Sequence, residues 1–351
     1  MQNTPIRIGI IGCGSVMRGP YTNQIKRMQA HGMPVLVTRC CDSQAEREQD
    51  ARASFGDVQF TTSYQSLLEA SDVDLVLVLT AMQFHGQIAK AALIAGKHCL
   101  VEKPMATTLE EGAELLALAQ SSEHFLLPAP HVLLSPTYQS IWRRIQAGDI
   151  GQPLQARALY GWDGPWWGEW FYRRGGGPLF DLGVYNVTSL TGLLGPARRV
   201  TAMTAQARPE RIINGQRMRI ETEDSAHVLL EHDGGVLSVI STGFTYQRYR
   251  CPAIEVYGSQ GTIQMLGDDW HPNGYELWQN SVGAWQLYAE EQSDWPWTDG
   301  LRHLVECIQS GARPIITPEH GFHVLEIMLK AMQAGGDGQA RRIESSFTPR
   351  E

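Results

Sequence analysis

Five short apolar runs, spaced by helix-length segments, restrict the first third of this chain to very few folds. Ile6–Ile11, Val35–Cys41, Leu75–Leu79, His98–Val101 and Phe125–Leu127 read as strands. Leu75-Val76-Leu77-Val78-Leu79 has no polar interruption, as expected of a strand covered on both faces. Between them lie helix-patterned segments at Ala45–Phe55, Gln83–Ala95 and Leu109–Gln120. The last opens on Thr107-Thr108-Leu109-Glu110, a capping-box pattern. Strands alternating with helices build a parallel sheet with helices on both faces, an α/β doubly wound architecture.

The pattern changes after Pro128. Helices are expected at Pro136–Ala147 and Leu179–Leu194, with a strand at Leu154–Leu159. From Arg199 to Tyr288 the chain reads as strands. Two hairpins are signalled, by His232-Asp233-Gly234-Gly235 and by Gly258-Ser259-Gln260-Gly261. Helices return at Gly300–Ser310 and Pro318–Gln333, and the tail after Gly335 reads as loop and a short strand. Two domains follow, 1–127 and 128–351, the second an α+β domain on a mainly antiparallel sheet. A chain of 351 residues is long enough to give each a core.

The net charge of −8 and the lack of a basic run argue against nucleic acid as a partner. No stretch has the length and apolarity of a membrane span, and the N-terminus lacks the build of a signal peptide. The six cysteines form no C-x-x-C pair and no metal spacing. Buried free thiols, a cytoplasmic location and no metal are the expectations.

Gly12-Cys13-Gly14 directly follows the first strand. A first glycine permits the tight turn, and a second lets the backbone approach a pyrophosphate. The helix that follows, expected around Tyr21–Gln29, turns its N–H groups toward the phosphates. Met17 stands at the third glycine position. Asp42 ends the second strand, where a carboxylate takes adenosine ribose hydroxyls and repels a 2′-phosphate. Ser43 follows it, so NAD is expected rather than NADP. Glu102-Lys103-Pro104 ends the fourth run, placing a lysine where a nicotinamide would lie. Gly175-Gly176-Gly177-Pro178 leads into a helix on which Asp181 and Tyr185, four apart, share a face.

Together these segments resemble the glucose–fructose oxidoreductase / inositol dehydrogenase / rhizopine-catabolism (Gfo/Idh/MocA) family over nearly the whole chain. The resemblance rests on Ile10-Ile11-Gly12-Cys13-Gly14, Thr80 with His85, Ala95-Gly96-Lys97-His98, Glu102-Lys103-Pro104, Gly175–Tyr185 and Ile254–Thr262. It implies an N-terminal Rossmann domain and a C-terminal domain with a large, mainly antiparallel open sheet whose outer face makes a homodimer or homotetramer contact. It implies cofactor contacts at Gly12, Gly14, Ser15, Val16, Asp42, Thr80, His85, Glu102 and Lys103. Many members carry histidine where this chain has Tyr185; a branch resembling glucose–fructose oxidoreductase and dimeric dihydrodiol dehydrogenase carries tyrosine. A second departure is His131 and Leu133, where asparagine and arginine are common.

The implied chemistry is hydride transfer between nicotinamide and a hydroxyl-bearing carbon. Lys103 polarises the substrate oxygen, Tyr185 exchanges its proton, and Asp181 orients the hydroxyl or the lysine. A free phenol ionises only near pH 10, so Tyr185 needs a cation such as Lys103 beside it. Trp162, Trp166, Trp167 and Trp170 cluster before the glycine run, with Asp163 and Glu169 among them. Indole faces stack on sugar C–H faces and carboxylates take hydroxyls, so a sugar, polyol or sugar derivative is the expected substrate. Its contacts would be His131, Asp163, Trp166, Trp167, Asp181 and Tyr185. The competing readings are a glycoside-cleaving enzyme that recycles its NAD by transient oxidation and elimination, and a non-catalytic NAD(H)-binding sensor or scaffold.

Overall fold

In the computed structural model, which describes residues 4–290, 292 and 294–349, all five runs become strands. They are β1 (Ile6–Ile11), β2 (Val35–Cys41), β4 (Leu75–Val78), β5 (His98–Val101) and β6 (Leu126–Pro128); a short β3 (Gln59–Thr61) adds an edge. The order is β3-β2-β1-β4-β5-β6, parallel throughout. Every residue of β4 is buried, as its unbroken apolar run requires. The helices are α1 (Thr22–Ala30), α2 (Glu48–Phe55), α3 (Tyr64–Leu68), α4 (His85–Ile94) and α5 (Leu109–Ser121). Thr108 caps α5, its hydroxyl accepting the Glu111 N–H at 3.1 Å.

The second sheet has nine strands, ordered β16-β15-β14-β13-β7-β12-β11-β8-β17. These are β7 (Pro153–Gly161), β8 (Ala197–Ala205), β11 (Ser225–His232), β12 (Leu237–Gly243), β13 (Ile254–Gly258), β14 (Gly261–Asp268), β15 (His271–Gln279), β16 (Trp285–Tyr288) and β17 (Arg341–Arg342). Only β7 and β12 pair in parallel; the other neighbours are antiparallel, including both signalled hairpins. A separate hairpin, β9 (Glu210–Ile213) and β10 (Gln216–Arg219), turns on Asn214 and Gly215 at φ 50° and 78°. Two consecutive positive φ values are what a two-residue hairpin turn demands, and Asn-Gly supplies them. Helices α6 (Pro136–Gln146) and α7 (Val184–Leu194) pack on one face of the large sheet.

The two compact units are residues 4–131 with 296–322, and 132–295 with 323–349. Helix α8 (Gly300–Ser310), allotted to the second domain on sequence order alone, packs with α1 in the first unit. Its Leu301, Leu304 and Val305 stripe is buried. Helix α9 (Pro318–Asp337) begins in the first unit and ends in the second. Five of the cysteines are buried and Cys251 is partly exposed, all as free thiols. Among the described residues no helix is long and apolar enough to cross a membrane.

Candidate active site

In the first unit the expected cofactor residues collect at the carboxyl edge of the parallel sheet. Gly12 follows β1, Asp42 follows β2, Thr80 lies just beyond β4, and Glu102 follows β5. This is where doubly wound sheets bind ligands. Gly12 has φ 101°, and a Cβ there would lie 2.6 Å from the Leu79 carbonyl, so no other residue fits. A Cβ on Gly14 would meet nothing within 4 Å. The turn is therefore open on the side from which a pyrophosphate would approach, and the residues present fit a dinucleotide. Ser15 is exposed and Val16 half-buried beside it.

Asp42 accepts the Cys13 N–H on Oδ2 at 2.8 Å and the Gln44 N–H on Oδ1 at 3.0 Å. Each oxygen keeps a lone pair for a ribose hydroxyl. The nearby cations are already committed to acids. Arg18 and Arg47 reach Asp50 at 3.5 and 3.0 Å, and Arg39 reaches Asp72 at 2.6 Å.

The chain after Gly14 departs from a plain helix. Met17–Tyr21 forms a π-turn with Pro20 inside it, and the Thr22 N–H reaches back to the Met17 carbonyl. Proline cannot donate to an α-helical ladder and its ring crowds the carbonyl four residues earlier, so the wider turn relieves both conflicts. Met17 and Tyr21 are fully buried as a result.

The Tyr21 hydroxyl donates to Glu102 Oε1 at 2.8 Å. Glu102 Oε2 in turn accepts the Lys103 N–H at 3.2 Å. On the other side, the His85 ring nitrogens lie 2.7 Å from the Pro104 carbonyl and 2.9 Å from that of Thr80. A neutral ring donates to one of them, a protonated ring to both; burial pulls its pKa down. His85 thus ties the loop after β4 to the lysine segment. His131, whose ring lies against Gly300 at the start of α8, is 1% exposed, and burial lowers its pKa to about 4.

In the second unit, Gly177 has φ 99° and a Cβ there would lie 2.5 Å from Glu223 Oε1, which explains the glycine before Pro178. The segment Leu179–Gly183 is a second π-turn, so Asp181 and Tyr185 are not on one regular α-helix as their spacing suggests. Both nevertheless act on the same neighbour, Tyr160. The Tyr160 ring meets Tyr185 edge-on at 5.9 Å. Its pKa is pushed well up by burial, and further by Tyr185 and Asp181. Tyr185 is 8% exposed.

Behind Tyr185, α7 is pinned by a fully buried carboxylate. Asp269 accepts the Ser189 hydroxyl at 2.7 Å and the Asn186 amide at 3.0 Å. Burial raises its pKa to about 6. Neither Tyr160 nor Asp269 is evident from sequence. Tyr160 ends a strand whose partners are non-local, and Asp269 sits in an ordinary-looking turn.

The tryptophan loop is held differently. Trp166, Trp167 and Trp170 are 67%, 47% and 39% exposed. Beneath them Phe171, Tyr172, Leu182, Ile213, Ile220 and Phe244 form a core, with Trp162 packed against it. Asp163 pairs with Arg208, and its Oδ1 also accepts from Gln247 at 2.7 Å. Buried Arg211 of β9 donates to the Asp163 and Phe244 carbonyls. The β9–β10 hairpin therefore buttresses the loop, a role the Asn214-Gly215 pair could have announced.

Known proteins supply the remaining frame. The NAD-binding Rossmann-fold domain of an oxidoreductase family matches residues 6–129, and the GFO/IDH/MocA C-terminal domain matches 138–264. A dTDP-3,4-didehydro-2,6-dideoxy-alpha-D-glucose 3-reductase of Saccharopolyspora spinosa is 31% identical, covering 97% of this chain and 99% of its own. A 1,5-anhydro-D-fructose reductase of Ensifer adhaerens is 26% identical over the same shares. A levoglucosan dehydrogenase solved with NADH and L-sorbose shares the fold at TM-score 0.87 and 18% identity, covering 97% of this chain and all of that one. With both family domains matched and a 31% identical relative aligned end to end, the chain is an oxidoreductase of the Gfo/Idh/MocA family with an NAD-binding Rossmann domain.

Proposed function

We propose that this protein is an NAD-dependent oxidoreductase that moves a hydride between nicotinamide and a hydroxyl-bearing carbon of a sugar, polyol or sugar derivative. The observation that carries the reading is the buried fixing of Glu102-Lys103-Pro104 at the carboxyl end of β5. A lysine held so firmly at the ligand-binding edge of a dinucleotide domain suits catalysis better than a solvated surface. The relatives whose printed names carry anhydrofructose and a dTDP-sugar support the substrate class.

Bound nicotinamide supplies the hydride chemistry. Lys103 polarises the substrate oxygen and stabilises charge on it. Tyr185 takes the hydroxyl proton in oxidation and returns it in reduction, which makes this a tyrosine-type site. Asp181 orients that hydroxyl or the lysine. Trp166 and Trp167 offer exposed faces to the apolar side of a sugar ring. Asp163, with Arg208 and Gln247 beside it, offers polar contacts, and His131 remains a proposed substrate contact. Asp42 with Ser43 after it favours NAD over NADP, and among the described residues Arg18, Arg47 and Arg39 already pair with acids.

A second copy of the chain is the proposed partner. Thr201, Leu229, Val239, Arg157, Glu255, Gln264, Glu276 and Leu287 are in register across eight strands and so share a face. Leu229, Leu237, Met203, Trp285 and Leu287 are exposed on it. Light scattering showing a monomer at micromolar concentration would remove this part.

The deciding experiment is a coupled screen with NAD and NADP on D-glucose, D-xylose, myo-inositol, levoglucosan and p-nitrophenyl glycosides, and on 1,5-anhydro-D-fructose with NADH. Turnover with net change in NADH is expected. Glycoside cleavage without net NADH would favour the recycling enzyme, complete inactivity the sensor, and a clear NADP preference would overturn the cofactor assignment.

A further inference from the structure

We propose that Tyr21 is a positioning residue for Lys103 and acts through Glu102, an inference that rests on the catalytic role proposed for the lysine. The helix after a dinucleotide turn ordinarily serves the phosphates. Here the π-turn also carries a side chain to the end of β5, two strands along the ligand edge from β1. The π-turn around Pro20 buries Tyr21 completely. Its ring is held edge-on by Trp297, at 5.9 Å and 84°. Trp297 belongs to the segment that returns with α8 to the first unit.

From this fixed ring the hydroxyl donates to Glu102 Oε1 at 2.8 Å. Glu102 is 7% exposed, so its carboxylate depends on protein partners. With Oε1 held by the phenol, Oε2 faces the Lys103 N–H at 3.2 Å. A carboxylate held at one oxygen has a defined plane, and that plane sets where the other oxygen meets the lysine backbone. His85 fixes the far side through the Pro104 carbonyl at 2.7 Å. Tyr21 and His85 thus grip the segment from two directions. The π-turn after the phosphate turn and the lysine segment are joined by hydrogen bonds through Glu102 as well as by their common sheet.

Tyr21→Phe keeps the ring against Trp297 and deletes only the donor. In the apo protein, amide hydrogen exchange at Lys103 is expected to speed up about five- to tenfold, with the melting temperature close to wild type. With the fastest member of the substrate panel, kcat should fall about five- to tenfold while the substrate KM and the NADH Kd stay within twofold. In a Glu102→Ala background, Tyr21→Phe should change neither quantity further. Unchanged exchange at Lys103, or unchanged kcat where Lys103→Ala is inactive, would overturn the proposal. Normal turnover in Lys103→Ala would instead overturn the catalytic reading, while the exchange result would still report whether Tyr21 fixes the segment. Should Tyr21→Phe unfold, Glu102→Ala read by the same exchange measurement decides, since it removes both carboxylate oxygens: wild-type protection at Lys103 would refute the relay.

Discussion

The lysine segment of the first unit and the tryptophan loop of the second are built by opposite means. Lys103 is framed by buried groups, Tyr21, Glu102 and His85, that leave its backbone little choice. The loop from Asp163 to Arg173 shows indole faces to solvent and is held at its surface by Asp163–Arg208 and Arg173–Glu221 pairs. Exposed pairs contribute little, about 0–1 kcal/mol each, so the exposed side chains on this loop can be exchanged without loss of the fold, while Phe171 and Tyr172 stay buried in the core beneath. On the proposed assignment of roles, the chemistry is fixed by buried contacts and recognition is left to an exposed surface. A family can then keep one reaction while changing its substrates.

The sharpest way to break this contrast is to attack the fixed side first. Lys103→Ala should lower kcat by about a hundredfold or more, within the range for acid–base and charge stabilisation, with NADH binding retained by fluorescence titration. Tyr185→Phe should cost about ten- to a hundredfold in kcat and flatten the pH profile of turnover. Near-normal rates in both would show that the anchored residues are not the chemical ones. On the exposed side, Trp166→Ala should raise the substrate KM about fivefold through a lost stacking contact worth about 1 kcal/mol, with kcat and melting temperature unchanged. A large loss of kcat instead would mean that the loop takes part in the reaction and the contrast fails.

The same contrast explains what could be read from sequence. β1, β2 and β5 fall where their runs begin and end; β5 and most of β1 are buried and leave a continuous apolar signature, while β2, with Leu36 exposed, is read from its β-branched and apolar residues. The glycine turn, Asp42 and the lysine tripeptide are legible because each does a local job beside a strand end. The two π-turns were not, since no periodic pattern marks them; the first surrounds Pro20 and the second, Leu179–Gly183, has no proline inside it. The return of α8 to the first unit was also hidden, because it depends on what Leu301, Leu304 and Val305 pack against and not on their spacing. Tyr21, Tyr160 and Asp269 matter through Glu102, Tyr185 and Ser189, which lie 81, 25 and 80 residues away, separations that no local window spans.

The smallest predicted effect tests whether the second unit also anchors its chemical residue from within. Asp269 pins α7 directly behind Tyr185, and burial raises its pKa from about 4 to about 6. The native state therefore binds that proton more tightly than the unfolded chain does. By linkage, Asp269 favours the fold fully below about pH 4, loses that advantage as pH climbs to about 6, and contributes a constant penalty above it. At about 1.4 kcal/mol per pH unit the swing is on the order of 2–3 kcal/mol. Asp269→Asn cannot titrate, so the stability difference, variant minus wild type, should rise by this amount between pH 4 and 6 in urea unfolding and stay level from pH 6 to 8. The subtraction removes the other carboxylates, whose titration both proteins share. A difference independent of pH would mean that Asp269 keeps an ordinary carboxylate's proton affinity, and that the helix carrying Tyr185 is held by packing rather than by a buried acid.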